Sequence, residues 1–251
     1  MAVSVGALIA ATAFAAHAAD IYGGPGGFKD GPYVPVNTWT GFYVGVNGGY
    51  GFRNDGDSNK TIVTGPGISD KFNGPAENGA FGGGQIGYNI QRNHLVYGVE
   101  ADFQGADISD THFAPGASGT GKIDSSLDWF GTVRGRLGYA YGRGLIYFTG
   151  GLAFGDVTDT VTYTTPKGNA FRGTLSDTQT GFVVGGGLEY AITPSWSWKA
   201  EYQYLDLGSE RVNGTFSPSG DAGRTSELDH NFQSVRLGFN YKLDHSNEPL
   251  K

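Results

Sequence analysis

Cysteine is absent from this chain of 251 residues. That excludes disulfide staples, thiolate metal sites and a cysteine nucleophile. Long apolar runs are missing as well: there is no stretch of about eighteen, so no membrane-spanning helix is encoded. Charge is scarce, 16% of residues against a usual ~25%. The net charge is −7, a sign that repels nucleic acid. Histidine is sparse, and His17, His94, His112, His230 and His245 lack the i, i+4 or paired spacing of a zinc site. No metal or cofactor is expected. His112 and the loop tyrosines are the candidates for a heme ligand, but the loops advertise no apolar cleft to receive one. Only His230, at a strand mouth, is placed for Ser–His or Asp–His hydrolysis, and an enzyme is not expected.

What the chain has in excess is glycine, Gly 44, about two and a half times the usual share. It is spread through segments that alternate with a period of two. In WTGFYVGVNGGYGF, residues 39–52, Phe42, Val44, Val46 and Tyr50 share one parity, while Gly41, Tyr43, Gly45, Asn47 and Gly49 share the other. Seven further segments repeat the pattern, at 78–91, 95–104, 127–139, 145–155, 180–192, 196–205 and 231–243, giving eight strands with 40–52. Connections around 92–94, 140–144 and 193–195 are tight, with turn residues Asn93, Gly142, Gly144 and Pro194. Those at 53–77, 105–126, 156–179 and 206–230 are long, polar and acidic. This strict alternation of short and long predicts an eight-stranded antiparallel up-and-down transmembrane β-barrel, with short periplasmic turns and long extracellular loops. Residues 1–19 read as a secretory signal peptide ending in small residues, 20–38 as a Gly/Pro-rich periplasmic linker, 39–243 as the barrel and 244–251 as a tail.

Alternation alone does not say which face is wet. The polar parity holds Glu100, Asp102, Asp128, Arg134, Arg136, Glu189, Lys199, Glu201 and Arg236, with Gly45, Gly49, Gly83, Gly87, Gly181, Gly185 and Gly187. Glycine does nothing for a strand facing bulk water. In the narrow lumen of eight strands it leaves room for long charged neighbours. The polar parity therefore lines a lumen network in which Glu189 falls opposite Lys199 across the Thr193–Ser195 turn, and Phe42, Val44 and Val46 face lipid. A one-residue slip of 127–139 would turn Arg134 and Arg136 to hydrocarbon at about 2–4 kcal/mol each. Aromatics fall into two belts, as bilayer interfaces favour. Trp39, Trp196, Trp198 and Tyr241 are expected at the periplasmic end, and Trp129, Tyr202, Tyr204 and Phe232 at the other. Gly82, Gly84 and Gly87 spell GxGxxG, but the pattern continues as strand rather than opening a helix, so lumen-lining glycine is the better reading.

These segments, together with GGGQIGYN at 82–89, VYGVEADFQG at 96–105, GTVRGRLGYAYGRGLIYFTGGLAFG at 131–155, TGFVVGGGLEYAI at 180–192, WKAEYQYLDLG at 198–208 and SVRLGFNYKL at 234–243, resemble the small porin-like outer-membrane β-barrel proteins of alphaproteobacteria. That group includes surface antigens and hemin-binding barrels. The resemblance implies residence in the outer membrane of a Gram-negative bacterium and a structural envelope and surface-presentation role. Its implied partners are outer-membrane lipid and lipopolysaccharide, and the barrel assembly machinery. The alternatives are a small passive pore, or a receptor binding heme or host surface molecules through the loops. The chain departs from the family at its end, where Leu243 stands in place of the usual closing aromatic and DHSNEPLK follows.

Overall fold

The computed structural model describes residues 38–53, 60–65, 68–73, 78–115, 119–166, 168, 170–217 and 220–243. The expected signal peptide, all of the expected linker except Thr38, and the tail lie outside them. Among the described residues ten strands run β1 (Gly41–Phe52), β2 (Lys60–Gly65), β3 (Ile68–Asn73), β4 (Asn78–Arg92), β5 (Leu95–Pro115), β6 (Thr120–Tyr141), β7 (Gly144–Thr164), β8 (Ala170–Ala191), β9 (Trp196–Ser217) and β10 (Ala222–Lys242). Eight form a ring of antiparallel neighbours, β1-β4-β5-β6-β7-β8-β9-β10, closed by pairing of β1 with β10 from Tyr43↔Lys242 to Phe52↔Gln233. Closure leaves the ring no free edge at membrane level.

The tight turns are built as their residues dictate. Asn93 and Gly142 both adopt the left-handed conformation, at φ 55° and 57°, which two-residue hairpins require. At the other end the sequence reading needs correction. The connections there are long in the chain, but most of their length is strand: β5 to β10 each run 21 or 22 residues, about twice what a bilayer needs. β1 and β4 stop earlier, and the β2–β3 hairpin joins the wall beside β10 at Thr225↔Val63.

These extensions were hidden because their two faces exchange character. At membrane level the outward residues are apolar, for example Val46, Val99, Leu137, Phe148, Leu152 and Leu237, each more than half exposed. Beyond it, on the same strands, apolar side chains turn inward and hydroxyls turn out. On β7, Val157, Val161 and Tyr163 are buried while Thr158, Thr160 and Thr162 lie outside. A period-two segment with greasy interior and polar exterior is what water on the outside selects, so this inversion marks where hydrocarbon ends. Bulges help to set the change. Asp128 is the extra residue between Leu127↔Val157 and Trp129↔Asp156; it is exposed rather than in the lumen, correcting its expected facing. Gly208, at φ 88°, sits at another irregularity between β9 and β10, where a side chain would be strained.

Candidate functional site

The lumen is filled in layers. At the periplasmic mouth Trp39, Val96, Ala140, Leu145, Tyr147 and Ala191 pack together. Further out is the charged belt, then an apolar layer including Phe81, Leu127, Phe130, Leu205 and Phe232. A small polar cluster follows, in which Ser125 donates to Asp159 at 2.5 Å and His230 Nε2 lies 3.1 Å from the same carboxylate. A second apolar layer, with Val63, Ile123, Tyr163, Phe171 and Phe216, occupies the extracellular extension.

Of the nine charges placed on the lumen parity from sequence, all but Asp128 come together in the belt, each at most 6% exposed. Their strands bring them in from register positions fixed by the ladder: Glu100 opposite Arg134, Glu201 opposite Arg236, Glu189 opposite Lys199. Glu100 accepts from Arg134, from Lys199 Nζ at 2.9 and 3.0 Å, from Arg236 at 3.2 Å and from the Tyr43 hydroxyl at 2.7 Å. Glu201 takes Arg134, Arg236 at 2.9 Å, the Tyr147 hydroxyl at 2.7 Å and Gln203 at 2.6 Å. Asp102 is shared by Arg134 at 2.9 Å, Arg236 at 3.3 Å and the Thr132 hydroxyl at 2.7 Å.

A second group sits nearer the periplasm. Arg136 pairs with Glu189 and lays its guanidinium 3.8 Å from the centre of the Tyr147 ring. Glu189 also accepts from Ser197 at 2.5 Å and Asn240 at 2.8 Å. Four carboxylates thus meet four cations. The belt is neutral overall, with every carboxylate multiply bonded, the condition under which buried charge is tolerated.

Tyr43 and Tyr147 belong to this site and were legible only in part. Both fall on the lumen parity, but aromatic residues on a barrel strand are read more readily as lipid-facing. Glycine makes room for them: a Cβ on Gly87 would lie 2.4 Å from the Tyr43 ring and hydroxyl, and one on Gly187 2.8 Å from the Tyr147 hydroxyl. The GxGxxG reading is corrected in the same way. Gly87 lines the lumen, whereas Gly82 and Gly84 face outward, where an added Cβ would meet nothing nearer than 3.5 Å.

The aromatic belts also need correction. Trp196 (50% exposed), Trp198 and Tyr202 face outward, with Tyr241 against Trp196 at 4.9 Å. Trp129 stacks on outward Phe103 at 5.4 Å, and Tyr204 lies 6.2 Å from Phe182. Trp39, however, is buried in the periplasmic plug and Phe232 in the central apolar layer. Neither touches lipid: Trp39, just before β1, enters the plug with Tyr147, and Phe232 shares the lumen parity of Ser234 and Arg236 on β10. Trp39 borders a cavity of about 30 Å³ with Tyr43, Asn89, Glu189 and Asn240, above the roughly 10–15 Å³ that one water needs.

Of the histidines, His94 stacks on Tyr139 in its turn at 5.4 Å, and His230 is buried beside Asp159. The side chain of His112, like His17 and His245, lies outside the described set. No group of three or more potential metal-binding His, Asp or Glu side chains occurs among the described residues.

Residues 6–242 match the family model of an outer membrane protein beta-barrel domain. The chain is 38% identical over 226 residues to a 31 kDa outer-membrane immunogenic protein of Brucella melitensis biotype 1, covering 84% of this chain and 87% of that one. It is 31% identical over 222 residues to a 22 kDa outer membrane protein of Rhizobium leguminosarum bv. viciae, covering 86% and 83%. Among solved structures, the outer membrane protein OprG from Pseudomonas aeruginosa aligns over 81% of this chain and 96% of its own, at TM-score 0.46 and 13% identity. With a closed ring of eight strands, an apolar outer band and a match across nearly its whole length, the chain belongs to the outer membrane protein β-barrel family and is a protein of the outer membrane.

Proposed function

We propose that this protein is a sealed barrel whose work is structural: it anchors in the outer membrane and holds a rigid extension above it, presenting hairpin ends at the cell surface. The observation that carries this reading is the filling of the lumen. Ions entering from the periplasm meet an apolar plug, then a neutral belt whose charges are already paired, then two apolar layers. Eight strands leave an interior that side chains just fill, and dehydrated apolar constrictions oppose ions. Surface presentation is supported by the Brucella relative, named an immunogenic protein.

Planar-bilayer recording of the folded protein tests it. Quiet membranes through many verified insertions are expected. Reproducible unitary steps would favour the passive-pore alternative instead. The receptor alternative has no described side chain arranged to favour it.

A further inference from the structure

We propose that the outer face of β7 and β8, just beyond the hydrocarbon band, is a docking surface for the core sugars of neighbouring lipopolysaccharide. Thr158, Thr160, Thr162 and Thr164 point outward from β7, and Thr174, Ser176, Thr178 and Thr180 from β8. The two rows are adjacent in register, with Thr158 opposite Ser176 and Thr160 opposite Thr174. Their hydroxyls are linked, Thr158 to Ser176 at 3.1 Å and Thr160 to Thr174 at 3.3 Å.

Three properties separate this face from an ordinary solvated wall. First, its centre lacks charge. Its outward positions carry none from 158 to 164 or from 174 to 180, while the same level of β6 carries Lys122 and Asp124, joined at 2.7 Å, and β9 exposes Arg211. Solubility alone is best served by charge. Asp156, opposite Thr178, and Arg172, opposite Thr162, flank an uncharged centre of Thr158, Thr160, Thr174 and Ser176, and the exposed Asp177 lies on the opposite parity.

Second, the hydroxyls are held in place. Each both donates and accepts, as sugar hydroxyls do, and β-branched threonine on a paired strand has little rotamer freedom to lose on binding. Threonine methyls between them offer small apolar contacts to sugar C–H groups.

Third, the face continues an established interface. Phe148, Leu152 and Phe154 on β7, and Phe182, Val184 and Leu188 on β8, point outward immediately below it. With a rise of about 3.3 Å per residue and a tilt near 40°, each residue climbs roughly 2.5 Å. Thr158 and Thr164, four and ten positions beyond Phe154, therefore stand about 10 and 25 Å above the last lipid-facing ring. Outside an outer membrane, the material at that height is the saccharide of the outer leaflet.

The test uses the folded full chain in neutral detergent micelles, titrated with two lipopolysaccharides: one truncated next to lipid A, the other bearing the complete core but no O-polymer. Native protein is expected to bind the core-bearing form about tenfold more tightly, the effect of one or two net hydrogen bonds. The variant Thr158→Val, Thr160→Val, Thr174→Val, Ser176→Ala should lose that preference while holding the truncated form as before. Heat-modifiable migration verifies its folding. Released core oligosaccharide should compete for the native protein, a measurement that needs no variant. Equal affinity of native protein for both forms, a preference that survives the four substitutions, or absence of competition overturns the proposal. So does a change confined to self-association in sedimentation, which would assign the face to a second copy of the chain.

Discussion

Glu189 and Lys199 face each other directly across the β8–β9 ladder, yet their charges are spent on other partners. Lys199 reaches across the lumen to Glu100, and Glu189 pairs with Arg136. Register sets which strand position a charge occupies; the closed ring then decides which charge it meets.

This division of partners ranks the cost of removing cations. Glu100 keeps Arg134, Arg236 and Tyr43 when Lys199 is lost. Glu189 keeps only the neutral Ser197 and Asn240 when Arg136 is lost. Breaking a buried pair costs about 3–5 kcal/mol because a charge is left uncompensated. Arg136→Met should fall in that range and Lys199→Met below it, in urea unfolding from vesicles followed by tryptophan fluorescence. The reverse order would mean that the belt does not share charge as its geometry implies.

The boundary of the hydrocarbon band can be located on one strand. Phe148 and Thr160 both point outward from β7, so any difference between them reports the surroundings rather than the barrel. Phe148→Arg should cost about 2–4 kcal/mol, as a cation near the midplane does. Thr160→Arg should stay within roughly 0.5 kcal/mol of native. Comparable losses at both sites would place lipid against the extension.

The membrane half of the barrel was legible because lipid outside and charge inside give a parity with opposite signs on its two faces. The extension was not, although TDTVTYT at 158–164 alternates as cleanly. Its outward threonines and inward Asp159 look like loop composition, and the switch of apolar parity from Leu152 and Phe154 to Val157 and Val161 reads as the end of a strand until the ladder shows it to be continuous. Trp39 and Phe232 show the second limit. Each sits on the lumen parity and could have been placed by counting, but the preference of aromatics for interfaces overrode the count. Asp128 shows the third: a single bulge residue moves a side chain to the opposite face, and parity cannot foresee it. Register encodes the Glu100–Arg134 and Glu201–Arg236 pairs, but the pairing of Lys199 with Glu100 and of Arg136 with Glu189 depends on reach across the lumen, which register does not give.

Glycines on the two faces of β4 should respond differently to one methyl group. At Gly87 an added Cβ would fall 2.4 Å from the Tyr43 ring, displacing the hydroxyl that Glu100 accepts. At Gly82 the nearest atom would be 3.5 Å away. Gly87→Ala is therefore expected to cost about 1–3 kcal/mol through overpacking. Gly82→Ala should be close to neutral and gains in strand propensity. Equal urea midpoints for the two variants would contradict the assignment of Tyr43 to the lumen.

The central apolar layer should matter more for the extension than for insertion. Phe130 is fully buried and meets Phe81 and Phe232 edge-on, at centroid distances of 5.2 and 5.6 Å. Truncating either Phe130 or Phe232 to alanine removes contacts worth about 3–5 kcal/mol, and the double variant should lose less than the sum because the rings share a cavity. The lipid-facing band and the charged belt are untouched by these changes, so heat-modifiable migration should persist while proteases cut the extracellular half faster. Conductance separates two forms of the seal. Continued electrical silence in Phe130→Ala, Phe232→Ala is expected, because the periplasmic plug around Trp39 and the paired belt still stand between the two compartments. A step conductance in this variant would assign the entire barrier to the phenylalanine layer.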